Sequence, residues 1–252
     1  MADGRPQAGE VGARAPRRDV RCGDGVAFLR EAAPLPPDHA LVTSLPDASE
    51  LPALGAAGWE AWFVDVAALA CAAVDAGAPA IFYQTDVKRD GAWVDKAHLV
   101  ALGAARAGAR LRFHKIVCRV PPGTATFGRP AYAHLLCCSR ALRLDPARAT
   151  PDVLPALGQM PWPRAMGAAA CEAVARFLLA ETGCRTVVDP FCGLGTMLAV
   201  ANAHGLDAVG VELSRRRADR ARRLQADPGG RLRLLPRAPG DAAGHTAEDD
   251  PP

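Results

Sequence analysis

The chain of 252 residues is 50% hydrophobic and 23% charged, the composition of a globular protein with one main domain, and its net charge of +3 permits a nucleic-acid partner without arguing for one. Eight cysteines hold no C-x-x-C pair and six histidines are scattered singly, which argues against a zinc centre, so no metal is expected. No secretory segment opens the chain and no apolar run reaches the ~20 uncharged residues that cross a bilayer; a cytoplasmic protein with reduced thiols and no membrane partner is expected.

Residues 1–18 and 226–252 are rich in small and polar residues without apolar periodicity and read as disordered tails. Between them, Asp19–Cys22 predicts a short strand and Val26–Ala33 a helix ended by Pro34, Pro36 and Pro37. His39–Ser44 predicts a buried strand that ends in the turn Leu45-Pro46-Asp47, followed by an Ala-rich helix over Trp59–Ala76 and a strand over Ala80–Gln84. Next come a helix at Lys96–Ala107 and strands at Arg110–Val120 and Tyr132–Ser139, the last seating the vicinal pair Cys137 and Cys138. Prolines make 144–163 an irregular connector. The back half, 164–225, holds a helix over Ala165–Thr182, a strand from Thr186, a helix over Thr196–His204, a strand at Ala208–Val211 and an Arg-rich helix from Ser214. Strands alternating with helices predict an α/β fold with a mostly parallel sheet covered by helices on both faces.

The run Thr186–Thr196 (TVVDPFCGLGT) breaks from apolar residues into a turn of small ones, and Glu212 closes the next apolar run, 23 positions after Asp189. Glycines have no Cβ and tolerate positive φ, so this backbone can approach a ligand. A carboxylate at Glu212 suits the two ribose hydroxyls of an adenosine. That spacing fits either a nicotinamide dinucleotide or S-adenosyl-L-methionine. The loop is D-x-F-x-G-x-G, however, without the full glycine set that receives a pyrophosphate. An acid at its mouth repels phosphate and suits an ammonium and a sulfonium, which favours S-adenosyl-L-methionine. The expected cofactor contacts here are Asp189, Pro190, Phe191, Gly193, Gly195, Thr196, Glu212 and Leu213. Cys192 has no base beside it in sequence and is not expected to act as a nucleophile. The segment after Glu212 is too short to complete the sheet, so the missing strands must come from upstream.

VVDPFCGLGT, followed by GVEL and an Arg-rich helix, resembles the DPFCGSGT and GxE motifs of class I S-adenosyl-L-methionine-dependent methyltransferases, most closely the circularly permuted amino-methyltransferases of DNA and RNA. MPWPRAMGAAACEAVARFLLAETG matches that family's proline-rich lead into the cofactor strand, and the resemblance runs in pieces from Asp19 to Leu224. It implies a Rossmann-like, circularly permuted fold whose catalytic half, 19–143, precedes the cofactor half. RCGDGVAFLREA resembles the family's third strand and its turn, which makes Asp24 the implied partner of the adenine amine. LVTSLPD falls where the family has TSPPY, so Thr43 is implied at the cofactor and Ser44, Leu45, Pro46 and Asp47 at the target amine. Ser44 and Pro46 agree with that motif, whereas Leu45 replaces its first proline and Asp47 its aromatic. That aromatic stacks on the extruded base in the family. Asp47 either accepts a hydrogen bond or proton from the target amine or caps a turn; Ser44 and the Leu45 carbonyl are the better candidates for orienting the acceptor.

The loop after Gln84 leaves its strand with polar and cationic residues on the side where the catalytic turn should open. Tyr83, Gln84, Asp86, Lys88 and Arg89 are therefore candidate substrate contacts, and Trp93 a candidate aromatic platform. The arginines at 215, 216, 217, 220, 222 and 223 spread round more than one helix face and read as solvated surface. His114, inside an apolar strand, reads as a satisfied core or edge residue. Together these features predict methyl transfer from S-adenosyl-L-methionine to a nucleic-acid base amine by in-line displacement. RNA is slightly favoured over DNA because so short a chain leaves little room for a target-recognition domain; a separate protein partner could supply recognition. A nicotinamide-dependent oxidoreductase and a non-catalytic binding module are the rivals.

Overall fold

The structure, a computed structural model, describes residues 14–237, so the expected tails lie outside the described residues up to 13 and from 238 onward. In chain order its elements are β1 (Arg18–Cys22), α1 (Gly25–Ala32), β2 (His39–Thr43), α2 (Gly55–Ala73), β3 (Ala80–Gln84), β4 (Val87–Arg89), β5 (Ala92–Val94), α3 (Lys96–Arg106), β6 (Arg110–Cys118) and β7 (Tyr132–Ser139). There follow β8 (Val153–Leu154), α4 (Ala168–Glu181), β9 (Thr186–Asp189), α5 (Thr196–Ala203), β10 (Asp207–Glu212), α6 (Arg215–Arg223), β11 (Leu224–Ala226) and β12 (Leu232–Leu234). Eight strands form one sheet in the order β1-β10-β9-β2-β3-β7-β6-β8. The first five are mutually parallel; β7 runs antiparallel to β3 and β6, and β8 runs parallel to β6.

The central strands are the most apolar, as burial on both faces requires: every residue of β3 and β9 is buried. From β9 through α5 the chain steps to β10, toward one edge; from β2 through α2 it steps to β3, toward the other. Right-handed crossovers in opposite directions put α5 and α2 on opposite faces. The helices accordingly pack as two groups, α1 with α2 and α3, and α4 with α5 and α6. The reversal of strand order falls between β9 and β2, and in such sheets ligands bind outside the carboxyl ends of the strands at that point.

The sheet is assembled from both ends of the chain. β1 pairs with β10, setting Val20 opposite Gly210, and β2 pairs with β9, setting Leu41 opposite Val188. Arg18 stitches the same seam, its Nε donating to Asn202 Oδ1 at 2.7 Å and its Nη1 to the Ala221 carbonyl at 3.0 Å. At the start of α1 a Cβ on Gly25 would stand 2.0 Å from the Pro190 carbonyl oxygen, so only glycine lets this helix meet the loop after β9.

Several expectations shift. The α2 helix starts at Gly55 and stops at Ala73, three residues before Ala76. Arg140 ends it by donating to the Cys71, Ala72 and Val74 carbonyls at 3.0, 3.1 and 2.5 Å. Pro52–Ala73 is also long and apolar enough to cross a membrane, with mean hydropathy 1.3, although no such run was expected. Charges that broke the run in sequence, Glu60 and Asp65, pair with Arg89 and Arg106, while Trp59, Phe63, Val66 and Ala70 pack into the core. The connector contributes β8, whose Val153 and Leu154 extend the sheet beside Ile116 and Val117. Beyond 225, where a tail is expected, β11 and β12 pair as a hairpin; Leu224 and Leu232 are buried, an alternation too short to register against the polar residues around it.

The Gly25 contact is testable by urea unfolding. Gly25→Ala should lower stability by about 1 to 3 kcal/mol, as overpacking does, whereas Gly23→Ala, with nothing within 4 Å of its Cβ position, should stay near wild type. Equal midpoints for the two variants would show that α1 and the loop are not in tight contact.

Candidate cofactor and acceptor site

A cavity of about 270 Å³ opens at the point where the strand order reverses. Its walls come from the loop after β9, the end of β10, the start of α1, the turn after β2 and the loop after β3. Asp24, Asp189, Pro190, Phe191, Gly193, Thr196, Glu212 and Leu213 all lie on it, as do Ser44, Leu45, Pro46 and Asp47. Of the residues expected at the cofactor, Thr43 and Gly195 stand behind the wall.

Thr43 acts through Asp189. Its hydroxyl donates to Asp189 Oδ1 at 2.7 Å, and the Phe191 amide donates to the same oxygen at 3.1 Å, so the ends of β2 and β9 are tied together. Burial pushes the Asp189 carboxyl up to about 7; these two hydrogen bonds offset only part of that, and the Glu212 charge adds to it. Glu212, also buried, accepts from the Gly193 amide at 3.1 Å, the Ser214 amide at 2.9 Å and Arg217 Nε at 2.9 Å. Three of its roughly four acceptor sites are therefore taken within the protein. Asp24 caps α1, accepting from the Ala27 amide at 2.8 Å through Oδ1.

The glycines of the loop have separate jobs. Gly195, with φ +79°, lies so close to α6 that a Cβ would stand 2.9 Å from Ala221 Cβ. Gly193, with φ +54°, has nothing within 4 Å of its Cβ position and borders the cavity, leaving room for a ligand against the backbone. Behind it the Thr196 hydroxyl is buried without a hydrogen-bond partner. The Cys192 thiol is pushed up by burial and by the Asp189 and Glu212 charges, which suppresses the thiolate a nucleophile requires.

The turn after β2 is held from below. Trp59, fully buried, donates from Nε1 to the Pro46 carbonyl at 3.1 Å. The Asp47 amide donates to Glu50 Oε2 at 2.9 Å, so the turn-capping alternative for this segment describes part of the geometry. The Asp47 carboxylate pairs with Lys96, whose side chain is only 3% exposed and whose ammonium sits 5.7 Å from the Trp59 ring centre. Lys96 lies on the cavity wall and was missed in sequence, because a lone lysine opening a helix reads as solvated.

The candidate substrate residues divide. Tyr83, Gln84 and Asp86 line the cavity; Lys88, Arg89 and Trp93 do not. Asp90 and Gly91, with φ of 50° and 77°, turn the chain into the β4–β5 hairpin, which carries those three residues off the wall. Lys88 lies over the Trp93 ring, Arg89 pairs with Glu60, and Trp93 donates to Asp86 at 3.0 Å, so Trp93 is no platform for a ligand in the cavity. Asp86 is a structural junction. It also accepts from the Lys96 amide at 2.9 Å and meets His134 Nε2 at 2.9 Å. Burial alone would raise its carboxyl, but those hydrogen bonds outweigh it and hold the group below its ordinary range.

His114, exposed on β6, contacts His134 Nδ1 at 2.9 Å and so continues this chain to the surface. The ligand-type atoms of Asp86, Asp95 and His134 lie within 4.8 Å of one another, a cluster that sequence spacing could not reveal. These atoms are already engaged, since His134 bonds Asp86 and Asp95 caps α3 at the His98 amide. Trp62, Arg119, Arg129, Trp162, Arg164 and Arg217 also line the cavity and were not foreseen there. Only part of the α6 arginines is solvated surface: Arg217 binds Glu212, and Arg222 donates to the Val20 carbonyl at 2.8 Å.

No family model and no curated protein matches this sequence. Solved structures do: TTHA0409 of Thermus thermophilus, named a candidate DNA modification methylase and complexed with S-adenosyl-L-methionine, aligns at 19% identity over 81% of this chain and 91% of its own, with a TM-score of 0.60. M1.HpyAVI in complex with SAM aligns at 12% identity over 81% and 97%, TM-score 0.56. The cytosine-N4-specific PvuII DNA methyltransferase aligns at 16% identity over 82% and 86%, TM-score 0.65. The chain therefore has the α/β, Rossmann-like fold of these methyltransferases.

Two outcomes follow from the buried charges. A carboxyl raised to about 7 stabilises the fold in its protonated form, so Asp189's contribution is full below about pH 4 and is lost as pH rises through 7. Wild type should therefore lose stability relative to Asp189→Asn between pH 5 and 8 in thermal melts; parallel curves would refute the raised value. For the second pair, Asp47→Asn strands the buried Lys96 ammonium and should cost about 3 kcal/mol. Lys96→Met, which leaves a carboxylate 28% exposed to water, should cost less. The reverse ranking in denaturant titrations would refute the pairing.

Proposed function

We propose that this chain is an S-adenosyl-L-methionine-dependent methyltransferase acting on a nucleic-acid base amine. The observation that carries this reading is one cavity that joins Asp24, Asp189 and Glu212, at the ends of the adjacent strands β1, β9 and β10, to the Ser44–Asp47 turn after β2, with Lys96, Arg119, Arg129 and Arg164 and the acids Glu50 and Asp86 on the same wall and Arg217 on Glu212. A cationic amino-acid ligand suits the three neighbouring carboxylates, and the exposed Arg129 and Arg164 suit a polyanion. The room above Gly193 and the unpartnered Thr196 hydroxyl fit a bound cofactor. When bound there, S-adenosyl-L-methionine supplies an electrophilic methyl group on its sulfonium.

The chain's own residues then do positioning work. Asp189 faces the cofactor's ammonium, Glu212 has acceptor capacity left for a ribose hydroxyl, and the second oxygen of Asp24 is open to an adenine amine. Ser44 and the Leu45 carbonyl orient the target amine, and Asp47, steadied by Lys96, receives its hydrogen bond. Holding acceptor, carbon and sulfur in line is the main contribution, because well-oriented groups gain about 7 to 11 kcal/mol over free encounter. A chain order in which catalytic strands precede cofactor strands agrees with the circularly permuted arrangement.

DNA is the first acceptor to test. The shortness of the chain is the ground for preferring RNA, yet about four fifths of this chain spans 91% of TTHA0409 and 86% of the PvuII enzyme, so proteins named for DNA are no longer than this one. A nicotinamide dinucleotide fits less well, since its pyrophosphate would lie beside buried Asp189 and Glu212. The reading predicts micromolar binding of S-adenosyl-L-methionine by calorimetry and none of NAD. Asp189→Ala should weaken that binding about 30-fold or more, as loss of a buried charge partner does. Labelled methyl groups should pass to single- or double-stranded DNA or to total RNA. Binding of NAD alone would replace the reading with a dehydrogenase, and cofactor binding without transfer to any nucleic acid would leave a non-catalytic module.

A further inference from the structure

Trp162 stands at the mouth of the cavity, 43% exposed and flanked by the exposed side chains of Arg129 and Arg164. A single exposed ring is ordinary on a protein surface; this one is distinguished by lying on the cavity wall. The segment holding this one is built to keep it still. Pro161 and Pro163 fix φ on either side, and the Ala165 amide closes a turn onto the Trp162 carbonyl at 3.0 Å. Arg129 donates to the Pro163 carbonyl at 3.3 Å, and Arg164 lies 3.8 Å from the Glu50 carboxylate.

The other rings of the wall are engaged. Trp62 and Phe191 meet edge to face at 6.2 Å on the side nearer Asp24, and Tyr83 is buried. The turn after β2 offers no ring, since Asp47 occupies its end. Among the described residues Trp162 is thus the one aromatic side chain of the wall that is both open to solvent and without a ring partner.

Building on the nucleic-acid reading, we infer that Trp162 is the stacking platform for one unstacked base of the acceptor strand, with Arg129 and Arg164 meeting the adjoining phosphates. Base stacking on an aromatic ring is sequence-tolerant, and a ring already held rigid loses little freedom when it binds. The neighbouring guanidiniums select a polyanion over an apolar peptide. The connector, unassigned by the cofactor chemistry, thereby gains a role in holding substrate.

The test uses the full chain and dye-labelled mixed-sequence 20-mers, one of single-stranded DNA and one of single-stranded RNA, followed by fluorescence anisotropy. Trp162→Phe should bind within about twofold of wild type, while Trp162→Ala and Trp162→Leu should weaken binding about 5- to 100-fold, the range of one lost stack. The affinity for S-adenosylhomocysteine and the slope of binding against salt should not change, because stacking involves neither the cofactor nor counterion release. Whichever strand shows the Phe-versus-Leu difference is the source of the base. Recovery of binding by leucine, or equal binding by the alanine variant, would overturn the platform while leaving the nucleic-acid reading intact. Loss of both oligonucleotide and cofactor binding in Trp162→Ala would also overturn it, making the residue structural. Wild type that binds S-adenosylhomocysteine but neither oligonucleotide would instead sink the nucleic-acid reading.

Discussion

The buried hydrogen bond between Thr43 and Asp189 is the constraint from which the site takes its shape. It joins the last residue of β2 to the last residue of β9, across the gap where the strand order reverses. Burial drives that carboxyl toward its neutral form, and hydrogen-bond partners offset only part of the cost. The Thr43 hydroxyl and the Phe191 amide supply them, and in doing so they set the spacing between the turn after β2 and the glycine loop. Those two loops carry Ser44–Asp47 and Pro190–Gly193, which face the cavity side by side.

Charge is distributed over the cavity in the same economical way. Each acid at the cofactor end is anchored by backbone amides, Asp24 by Ala27, Asp189 by Phe191 and Glu212 by Gly193 and Ser214. Amide donors stabilise a carboxylate without adding a cation that would cancel its charge toward a ligand. Arg217 is the exception, since it lies directly on Glu212. At the opposite end the roles are inverted: Lys96 is buried and steadies an acid, while Arg129 and Arg164 remain outside, where they meet solvent.

Much of this was legible in the residues, and the failures have physical causes. β2, β3, β7 and β9 were readable because strands buried on both faces must be continuously apolar, and Asp189, Glu212 and the glycines because they interrupt such runs abruptly. Helix ends were less accurate, since α2 is stopped by Arg140, a residue far away in sequence. Lys88, Arg89 and Trp93 were misjudged because the Asp90–Gly91 turn diverts them, and the polar loop looked the same with or without it. Lys96, Trp162 and the rim arginines gave no local signal. Their importance comes from what the fold brings beside them, as with His134 and Asp86, which meet across the β3–β7 pairing.

The pairing of β1 with β10 and of β2 with β9 has a consequence for biosynthesis. A ribosome releases the amino-terminal strands first, yet their neighbours in the sheet are among the last to emerge. Until then β2 can pair only with β3, and its other, apolar flank lies open to any extended polypeptide nearby, the situation in which nascent chains associate wrongly. Long-range pairing of this kind also folds slowly. The turn after β2 is therefore set only once β9 has emerged, and a product lacking the final third would carry that turn without the glycine loop and Glu212 that share its cavity.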